Sequence, residues 1–346
     1  MSTAQGVKQS FSKHELNAMA IGVDIFGFGP IGRELAKRLV SEKELNNEFA
    51  IISISDSSGT TYPKNSSDVL RAIETKSVGN KLSQLNLGKR PVDKSSIFVD
   101  LTSSNYKKVI EAKNRAIAAL SDGMHFVSAS KVALSDSYSE IFSLAAERRL
   151  EVGFGATLCG ARHAVSVARN IEPGEIQSVS AVLNASTTMI LSMLEESQDL
   201  SFEDACKKAN DSGVLESDWS IDLDGIDAAA KTAILGNVIF PESSFSLQDV
   251  AVHGLRDEKG RSLIEKNKTV AETRVRLVSE VTENKISVEP KAVPFDSPLA
   301  VKGRYNVVVF KTKTLGDISV RNLGGGVSLT ASVIISDLKK IASHKK

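Results

Sequence analysis

The sequence predicts an α/β protein in which a mostly parallel sheet occupies the first half and a second domain follows. Two observations predict the sheet. Short apolar runs alternate with helix-like segments between residues 20 and 154, and a glycine-rich turn follows the first run. A third observation predicts the second domain, because beyond residue 249 the pattern changes to short strands, clearest at 274–278, 285–289 and 306–310.

Composition is that of an ordinary globular protein of two domains. The chain has 346 residues, 41% of them apolar, and a formal net charge of +1, without the basic excess of nucleic-acid-binding proteins. No apolar run reaches the roughly 18 residues of a membrane span, and the N-terminus lacks the apolar core of a secretory signal. Two cysteines and five scattered histidines predict neither a disulfide framework nor a zinc site, and they fit the cytoplasm.

A glycine motif follows the first apolar run, residues 20–26, without a gap. In GFGPIG the first glycine allows a tight turn, the second lets the backbone approach a pyrophosphate, and the third lets the next helix pack closely. A glycine turn in some other α/β unit is the alternative. We predict a Rossmann-type dinucleotide site formed by Gly27, Phe28, Gly29, Pro30, Ile31 and Gly32.

The next apolar run ends in Asp56, roughly 20 residues past the glycines, where a ribose-binding carboxylate is expected. Asp56 would accept hydrogen bonds from the ribose hydroxyls and repel a 2′-phosphate, which slightly favours NAD over NADP. Arg33 and Lys64 lie near enough in sequence to weaken that preference. The predicted cofactor is therefore NAD or NADP.

Small hydroxyl residues and a lysine follow two later strands of the predicted parallel sheet. Thr102 and Ser103 end the run 96–104, and Lys131 ends a run that begins at Gly123. The carboxyl ends of parallel strands meet at the edge where ligands bind. Lys131 is therefore a catalytic candidate, with an ordinary surface lysine as the alternative.

A strand-to-helix turn in the second half carries Asn184, Ser186 and Thr187. Their polar groups, with the backbone N–H groups of a helix start, suit binding of a substrate carboxylate. Ordinary helix capping is the alternative, because Asn, Ser and Thr are the usual capping residues.

The stretch from Gly213 to Leu235 concentrates acidic residues ahead of a single lysine, Lys231. An acidic segment that leads into a helix with one lysine suggests a site for a cationic substrate next to an acid–base group. An acidic helix start with an ordinary surface pair between Asp227 and Lys231 is the alternative.

Several stretches together resemble homoserine dehydrogenase, the family that interconverts L-homoserine and L-aspartate 4-semialdehyde with NAD(P). The acids followed by DxxGxDxxxK are the most specific part. The matching stretches, in the family's order from about Val23, are GFGPIG, VDLTSS, GMHFVSASK, LNASTTMIL, GVLESDWSIDLDGIDAAAK, GRYNVVVF and GGGVSLTASVIISDL.

The resemblance implies a Rossmann-type domain, an α+β substrate-binding and dimerisation domain with a mixed open sheet, and a C-terminal segment that packs back on the first domain. We place these at 19–150, 151–310 and 311–346, after an extension, 1–18, that we expect to be disordered. It also implies a homodimer and a role in threonine, methionine and isoleucine synthesis. Because the chain stops soon after the last family helix, we expect a monofunctional form without a regulatory domain.

The resemblance also implies roles for particular residues. Glu216 and Asp222 resemble the acids that contact the substrate's ammonium group. Asp227 and Lys231 resemble the catalytic pair, and Lys131 resembles a second catalytic lysine on the cofactor side. The remaining cofactor contacts implied by the family are Thr102, Ser103, Ser130, Lys131 and Gly325.

The chain departs from the family pattern near the substrate end. Residues 185–188 read ASTT where the family has Gly-Thr-Thr-Asn, and Trp219 replaces a proline after the acids. Residues 155–163 replace a loop that begins with glutamate and binds a monovalent cation in some members. A cation site at Gly155, Leu158 and Gly160 therefore stays open, and no other metal is predicted.

Three functions are consistent with the sequence. The first is an active homoserine dehydrogenase with lysine acid–base catalysis. The second is a dehydrogenase of the same fold that acts on another small amino or hydroxy acid. The third is a nucleotide-binding sensor without turnover, which has little reason to keep Lys131, Asp227 and Lys231 together.

Overall fold

The structure is a computed structural model that describes residues 20–85, 87–89, 96–197, 199–213, 215, 218–267 and 272–344. The extension predicted at 1–18 lies outside these ranges. The chain divides into two compact units, one ending at Leu101 and the other beginning at Thr102. No helix in the described ranges combines the length and the apolar character needed to cross a bilayer.

Among its described residues, the first unit has four strands and three helices. The strands are β1 (Ile21–Phe26), β2 (Phe49–Asp56), β3 (Gly59–Thr61) and β4 (Ile97–Asp100). The helices are α1 (Pro30–Ser41), α2 (Lys43–Glu48) and α3 (Ser66–Ser77).

The strands of the first unit lie in the order β3-β2-β1-β4. β1 pairs in parallel with β2 and β4, and β3 pairs antiparallel with β2. The interior of β1 and almost all of β2 are buried, as expected for apolar strands covered on both faces. Pro30 occupies the first turn of α1, where its fixed φ favours a helix start.

The second unit contains nine helices and eight strands among its described residues. The helices are α4 (Val109–Ser121), α5 (Val132–Glu147), α6 (Arg162–Ala168), α7 (Ala185–Glu196), α8 (Phe202–Asp211), α9 (Trp219–Leu223), α10 (Ile226–Ile239), α11 (Glu258–Asn267) and α12 (Val327–Ser343). The strands are β5 (His125–Ser128), β6 (Val152–Gly153), β7 (Ile176–Val182), β8 (Ala251–Val252), β9 (Thr273–Val281), β10 (Ile286–Pro294), β11 (Tyr305–Thr312) and β12 (Asp317–Leu323).

A mixed sheet organises the second unit, in the order β12-β11-β7-β9-β10-β8. Its pairs are antiparallel except β8–β10, which is parallel. α10 packs against β9 and β10, and α7 packs against β9 and β11. Ten of the 14 residues of α10 are buried, so the helix that carries Asp227 and Lys231 belongs to the core.

The predicted fold class is confirmed: a Rossmann-type domain with a parallel sheet is followed by a domain with a mixed sheet. The strands predicted at 274–278, 285–289 and 306–310 are each longer in the structure. β12 was not predicted, because its side chains alternate between exposed and half-buried and give no apolar run. The predicted domain limits at 150 and 310 remain predictions.

Candidate active site

A break between two helices brings the acidic residues of the second unit together. α9 ends at Leu223 and α10 begins at Ile226, with Asp224 and Gly225 between them. Gly225 has φ +81°, a left-handed conformation that side chains disfavour. The break places Asp222 in the last turn of one helix and Asp227 in the first turn of the next, and both are buried.

The carboxylate of Asp227 contacts two lysines, one through each oxygen. Lys231 Nζ lies 2.5 Å from Oδ2, and Lys131 Nζ lies 3.3 Å from Oδ1. Lys231 also donates to the carbonyl oxygen of Leu183 at 2.9 Å. Asp227 is 4% exposed, so its pair with Lys231 is not an exposed helix-surface pair. Lys131 and Lys231 are thus held at one carboxylate although 100 residues separate them.

Asn184 connects the two buried acids. Its Nδ2 donates to Asp222 Oδ1 at 2.7 Å and to Asp227 Oδ2 at 2.8 Å. Its Oδ1 accepts from the backbone N–H of Thr187 at 2.8 Å and so caps α7. One side chain therefore fixes the start of α7 and both carboxylates.

The hydroxyl residues beside Asn184 are buried with it. Thr187 Oγ1 and Thr188 Oγ1 both donate to the carbonyl oxygen of Asn184, at 3.1 and 2.8 Å. Ser186 lies in the first turn of α7. The capping alternative therefore describes Asn184 and Thr187 well, since their polar groups are engaged with the helix start and the acids.

The lysines control the ionisation of Asp227. Burial alone would raise the pKa of its carboxyl group. The charges of Lys231 and Lys131, with hydrogen bonds from Lys231 and Asn184, outweigh burial and hold that pKa well below its usual range. Asp227 is therefore a carboxylate at neutral pH.

The segment from His253 to Arg256 stabilises the break between α9 and α10 through hydrogen bonds. The N–H of Leu255 donates to the carbonyl of Leu223 at 2.7 Å. Arg256 makes two hydrogen bonds to the carboxylate of Asp224, from Nε at 2.6 Å and from Nη2 at 2.5 Å. Sequence reasoning missed Arg256, because a contact across 32 residues leaves no periodic signal.

The glycine turn of the first unit has the geometry that dinucleotide binding needs. Gly27 has φ +102°, and Gly29 precedes the first residue of α1. A Cβ on Gly32 would collide with the backbone carbonyl of Gly27, whereas Gly29 has open space around it. The turn therefore leaves room for a pyrophosphate at the N-terminus of α1, and these residues fit a dinucleotide. Phe28, Pro30 and Ile31 complete the same turn.

Asp56 ends β2, as predicted, but its carboxylate already has partners. Ser58 donates to Oδ1 from its N–H at 2.8 Å and from its Oγ at 2.6 Å, and Lys76 Nζ lies 2.7 Å from Oδ2. Burial opposes ionisation of Asp56, but Lys76 and Ser58 outweigh it and lower its pKa. Since Lys76 balances this negative charge, Asp56 gives no clear preference for NAD over NADP.

The remaining cofactor candidates lie on loops of the second unit. Arg115 donates to Thr102 Oγ1 at 3.1 Å, and Ser103 follows in the same loop. Ser130 is 2% exposed, and its Oγ has no hydrogen-bond partner among the described residues, so it has capacity for a ligand. The carbonyl of Gly325 accepts from Arg304.

Two predictions near the substrate end have different outcomes. Glu216 lies outside the described residues. Gly155, Leu158 and Gly160 lie in or beside a short 3₁₀ turn, and the N–H of Gly155 donates to Asp337 at 2.9 Å. Among the described side chains, no group of three or more His, Cys, Asp or Glu residues could hold a metal. A backbone cation site stays a prediction.

Family models match both halves of the chain. Residues 27–154 match "Homoserine dehydrogenase, NAD binding domain", and residues 165–338 match "Homoserine dehydrogenase". The homoserine dehydrogenase of Pyrococcus horikoshii is 34% identical over 93% of this chain and 97% of its own length. The chain belongs to the homoserine dehydrogenase family.

Two further homoserine dehydrogenases resemble it over similar lengths. That of Methanocaldococcus jannaschii is 33% identical over 93% of this chain and 98% of its own length. A solved hyperthermophilic archaeal homoserine dehydrogenase in complex with NADPH is 32% identical, with a TM-score of 0.78, over 95% of this chain and 99% of its own. As a member of the family, the chain is an NAD(P)-dependent oxidoreductase that acts on a CH–OH group.

Proposed function

We propose that the chain interconverts L-homoserine and L-aspartate 4-semialdehyde, with Lys231 as the acid–base group. The observation that carries this proposal is the carboxylate of Asp227, which holds Lys231 and Lys131 at opposite oxygens. Removal of a hydride from the carbon that bears the hydroxyl group requires removal of the hydroxyl proton as well. In the reverse direction the developing alkoxide must be stabilised and protonated.

In the oxidative direction, neutral Lys231 would accept the hydroxyl proton of homoserine at Nζ. In the reductive direction, the Lys231 ammonium would polarise the aldehyde and return the proton. Lys231 Nζ donates to Asp227 Oδ2 at 2.5 Å, so Asp227 would hold the amine in place in both directions. Lys131 would add positive charge beside the developing alkoxide. Bound NAD or NADP would supply the hydride acceptor.

Recognition of the amino acid is assigned to the acids. Asp222, with Glu216, would receive the substrate's ammonium group. Asn184 is better assigned to positioning than to direct substrate binding, because its Nδ2 already donates to Asp222 and Asp227. The start of α7, with Ser186 and Thr187, would bind the carboxylate of the substrate.

The proposal also covers the cofactor contacts, the assembly and the metabolic role of the enzyme. The glycine turn 27–32 would bind the pyrophosphate of the cofactor, with Asp56 near its ribose and Thr102, Ser103, Ser130 and Gly325 as further contacts. The enzyme would act as a cytoplasmic homodimer in threonine, methionine and isoleucine synthesis, with neither nucleic acid nor membrane as a partner. The family resemblance supports this setting.

The deciding experiment is homoserine-dependent reduction of NAD and of NADP, measured side by side. The wild-type chain should reduce at least one cofactor. Lys231→Met should lose about 10²–10⁴-fold in kcat, the usual scale of acid–base catalysis, and keep its cofactor affinity. Lys208→Met, which removes an exposed lysine of α8, is the matched control and should retain full activity.

The other outcomes would refute the acid–base assignment or favour another function. Full activity of Lys231→Met would refute the assignment of the acid–base group. Faster turnover of another amino alcohol than of homoserine would favour the second function predicted from the sequence. Cofactor binding without reduction on any amino alcohol would favour the sensor.

A further inference from the structure

A cleft in the second unit is separate from the residues assigned to catalysis. It has a volume of about 610 Å³, including its open mouth, and lies between the end of β6, α6 and α12. Phe154, Val165 and Ile341 form its apolar part. None of Lys131, Asp227 and Lys231 lines it. Three cationic and two acidic side chains complete its lining: Arg162, Arg169, Lys340, Glu151 and Asp337.

The two acids of the cleft each have a partner. Asp337 accepts from the N–H of Gly155 at 2.9 Å, and Arg162 Nη2 lies 3.8 Å from its other oxygen. Glu151 lies 3.2 Å from Nδ1 of His344. Arg162 is further held by Ser336, to which it donates at 2.6 Å.

Two cationic side chains of the cleft have no acidic partner. Among the residues that the structure describes, the side chains of Arg169 and Lys340 make neither a hydrogen bond nor an ion pair. The guanidinium of Arg169 lies over the ring of Phe154, 5.6 Å from its centre, which directs it along the apolar wall. The cleft therefore offers two cationic side chains without an ion-pair partner beside an apolar surface, and its lining carries a net charge of +1.

We propose that this cleft binds a small dianion, a phosphate monoester or a dicarboxylate, through Arg169 and Lys340. A dianion offers one negative charge to each of these two side chains, and arginine favours the planar, two-oxygen face of carboxylate and phosphate groups. The carbon part of the ligand packs on Phe154, Val165 and Ile341. A monoanion would leave one of the two side chains without an anionic partner and should bind more weakly.

The position of the cleft lets such a ligand bridge two parts of the second unit. Asp337 and Lys340 lie on α12, and Arg162 and Gly155 bound the segment that follows β6. Asp337 already ties α12 to Gly155. A ligand that bridges Arg169 of the α6 end and Lys340 of α12 strengthens the same connection. The ligand therefore stabilises the contact between α12 and the segment after β6.

The test is binding of glycerol 3-phosphate and of succinate to the full chain by isothermal titration calorimetry. The cleft variant is Arg169→Ala with Lys340→Ala. Its control is Lys208→Ala with Lys313→Ala, which removes the same charge from exposed positions that do not line the cleft. All four side chains are exposed, so both variants should fold, and their melting temperatures check this.

Wild type and control should bind at least one probe saturably, and the cleft variant should bind it at least about tenfold more weakly, the scale of one lost charge-assisted contact. Whichever probe binds more tightly identifies the ligand as phosphate or carboxylate. Equal binding by the cleft variant would place the anion elsewhere, for example at the glycine turn, and would overturn the proposal. Absence of saturable binding of both probes to the wild type would overturn it as well. Neither readout depends on turnover of homoserine.

Discussion

Asp227 is the residue on which most of the described site depends. Both of its oxygens contact a lysine, and one of them also accepts from Asn184. The carboxylate therefore compensates two ammonium groups that would otherwise repel each other in a buried place. Its substitution affects both the chemistry and the stability of the second unit.

We expect Asp227→Asn to lose about 10²–10⁴-fold in kcat, because Lys231 loses the group that orients it. The variant should also melt at a lower temperature, since two partly buried ammonium groups remain without their carboxylate. Asp211→Asn, an exposed acid at the end of α8, is the control and should change neither quantity. Wild-type kcat in Asp227→Asn would contradict the role given to this residue.

The lowered pKa of Asp227 also predicts a dependence of stability on pH. Its folded pKa lies below the ordinary value of 3.8, so its contribution to stability is fully present above about pH 4 and is lost as the pH falls further. Denaturant unfolding at pH 7 and at pH 3 measures this. The difference in unfolding free energy between wild type and Asp227→Asn should shrink at pH 3, and a constant difference would contradict the shift.

A second prediction at this scale concerns Lys76 and the choice of cofactor. Lys76→Met leaves the charge of Asp56 uncompensated at the predicted ribose position. We expect kcat/KM for NADP to fall about tenfold relative to that for NAD, the scale of one charge-assisted hydrogen bond. Lys43→Met is the control, since Lys43 is an exposed residue of α2 and has no contact with Asp56. An unchanged ratio of the two cofactors would show that Asp56 and Lys76 do not face the ribose.

At the scale of elements, the break between α9 and α10 sets the relative position of Asp222 and Asp227. Gly225 makes the break possible through its φ of +81°. A Cβ there would lie 3.1 Å from Val252 Cγ1, a contact that requires the neighbour to move. The break, the segment 253–256 and Asn184 together fix the backbone of the site.

Gly225→Ala should cost about 1–2 kcal/mol of stability for the left-handed backbone alone. It should also raise KM for homoserine, because the two acids shift relative to each other. Gly123→Ala is a close control: Gly123 has φ +80° in the same unit, and a Cβ there meets no atom within 4 Å. Denaturant unfolding and steady-state kinetics should show a similar loss of stability in both variants and loss of activity only in Gly225→Ala. Equal kinetic constants in the two variants would show that the turn at Gly225 does not shape the substrate site.

Local patterns predicted the parts of the site that depend on neighbouring residues. The glycine turn and the spacing of Asp227 and Lys231 follow from strand, turn and helix periodicity. The contacts of Asn184 with Asp222 and Asp227 span 38 and 43 residues, and those of Arg256 with Asp224 span 32. Such contacts depend on how the strands pair, and a single sequence carries no signal of that pairing. Asn184 was therefore assigned to the substrate, although its amide is bonded to the acids.

At the scale of the whole molecule, one edge of the second sheet bears on assembly. β12 is the last strand of that sheet, and none of its residues is buried. Tyr305 and Leu323, opposite each other on β11 and β12, are both exposed apolar residues. An exposed strand edge with apolar side chains is suited to pairing with another chain.

We therefore expect the proposed homodimer to be the form in solution. Sedimentation equilibrium should give twice the chain mass of 37.1 kDa at micromolar concentration. Leu323→Lys should weaken the association if this edge takes part, and Leu315→Lys, another exposed leucine, is the control. A monomer in the wild type would contradict the dimer, and an unchanged dimer in Leu323→Lys would place the interface elsewhere.

The charges around Asn184 balance within the described cluster, where two carboxylates, Asp222 and Asp227, face two lysines, Lys131 and Lys231. Homoserine is itself a zwitterion without net charge, so little long-range attraction draws it toward this cluster. Its capture should therefore vary little with ionic strength, which screens charges beyond about 10 Å at 0.1 M. The cleft with Arg169 and Lys340 has the opposite character, and its affinity for a dianion should fall steeply as salt is added. Added salt should therefore remove the dianion from the cleft while the substrate still binds.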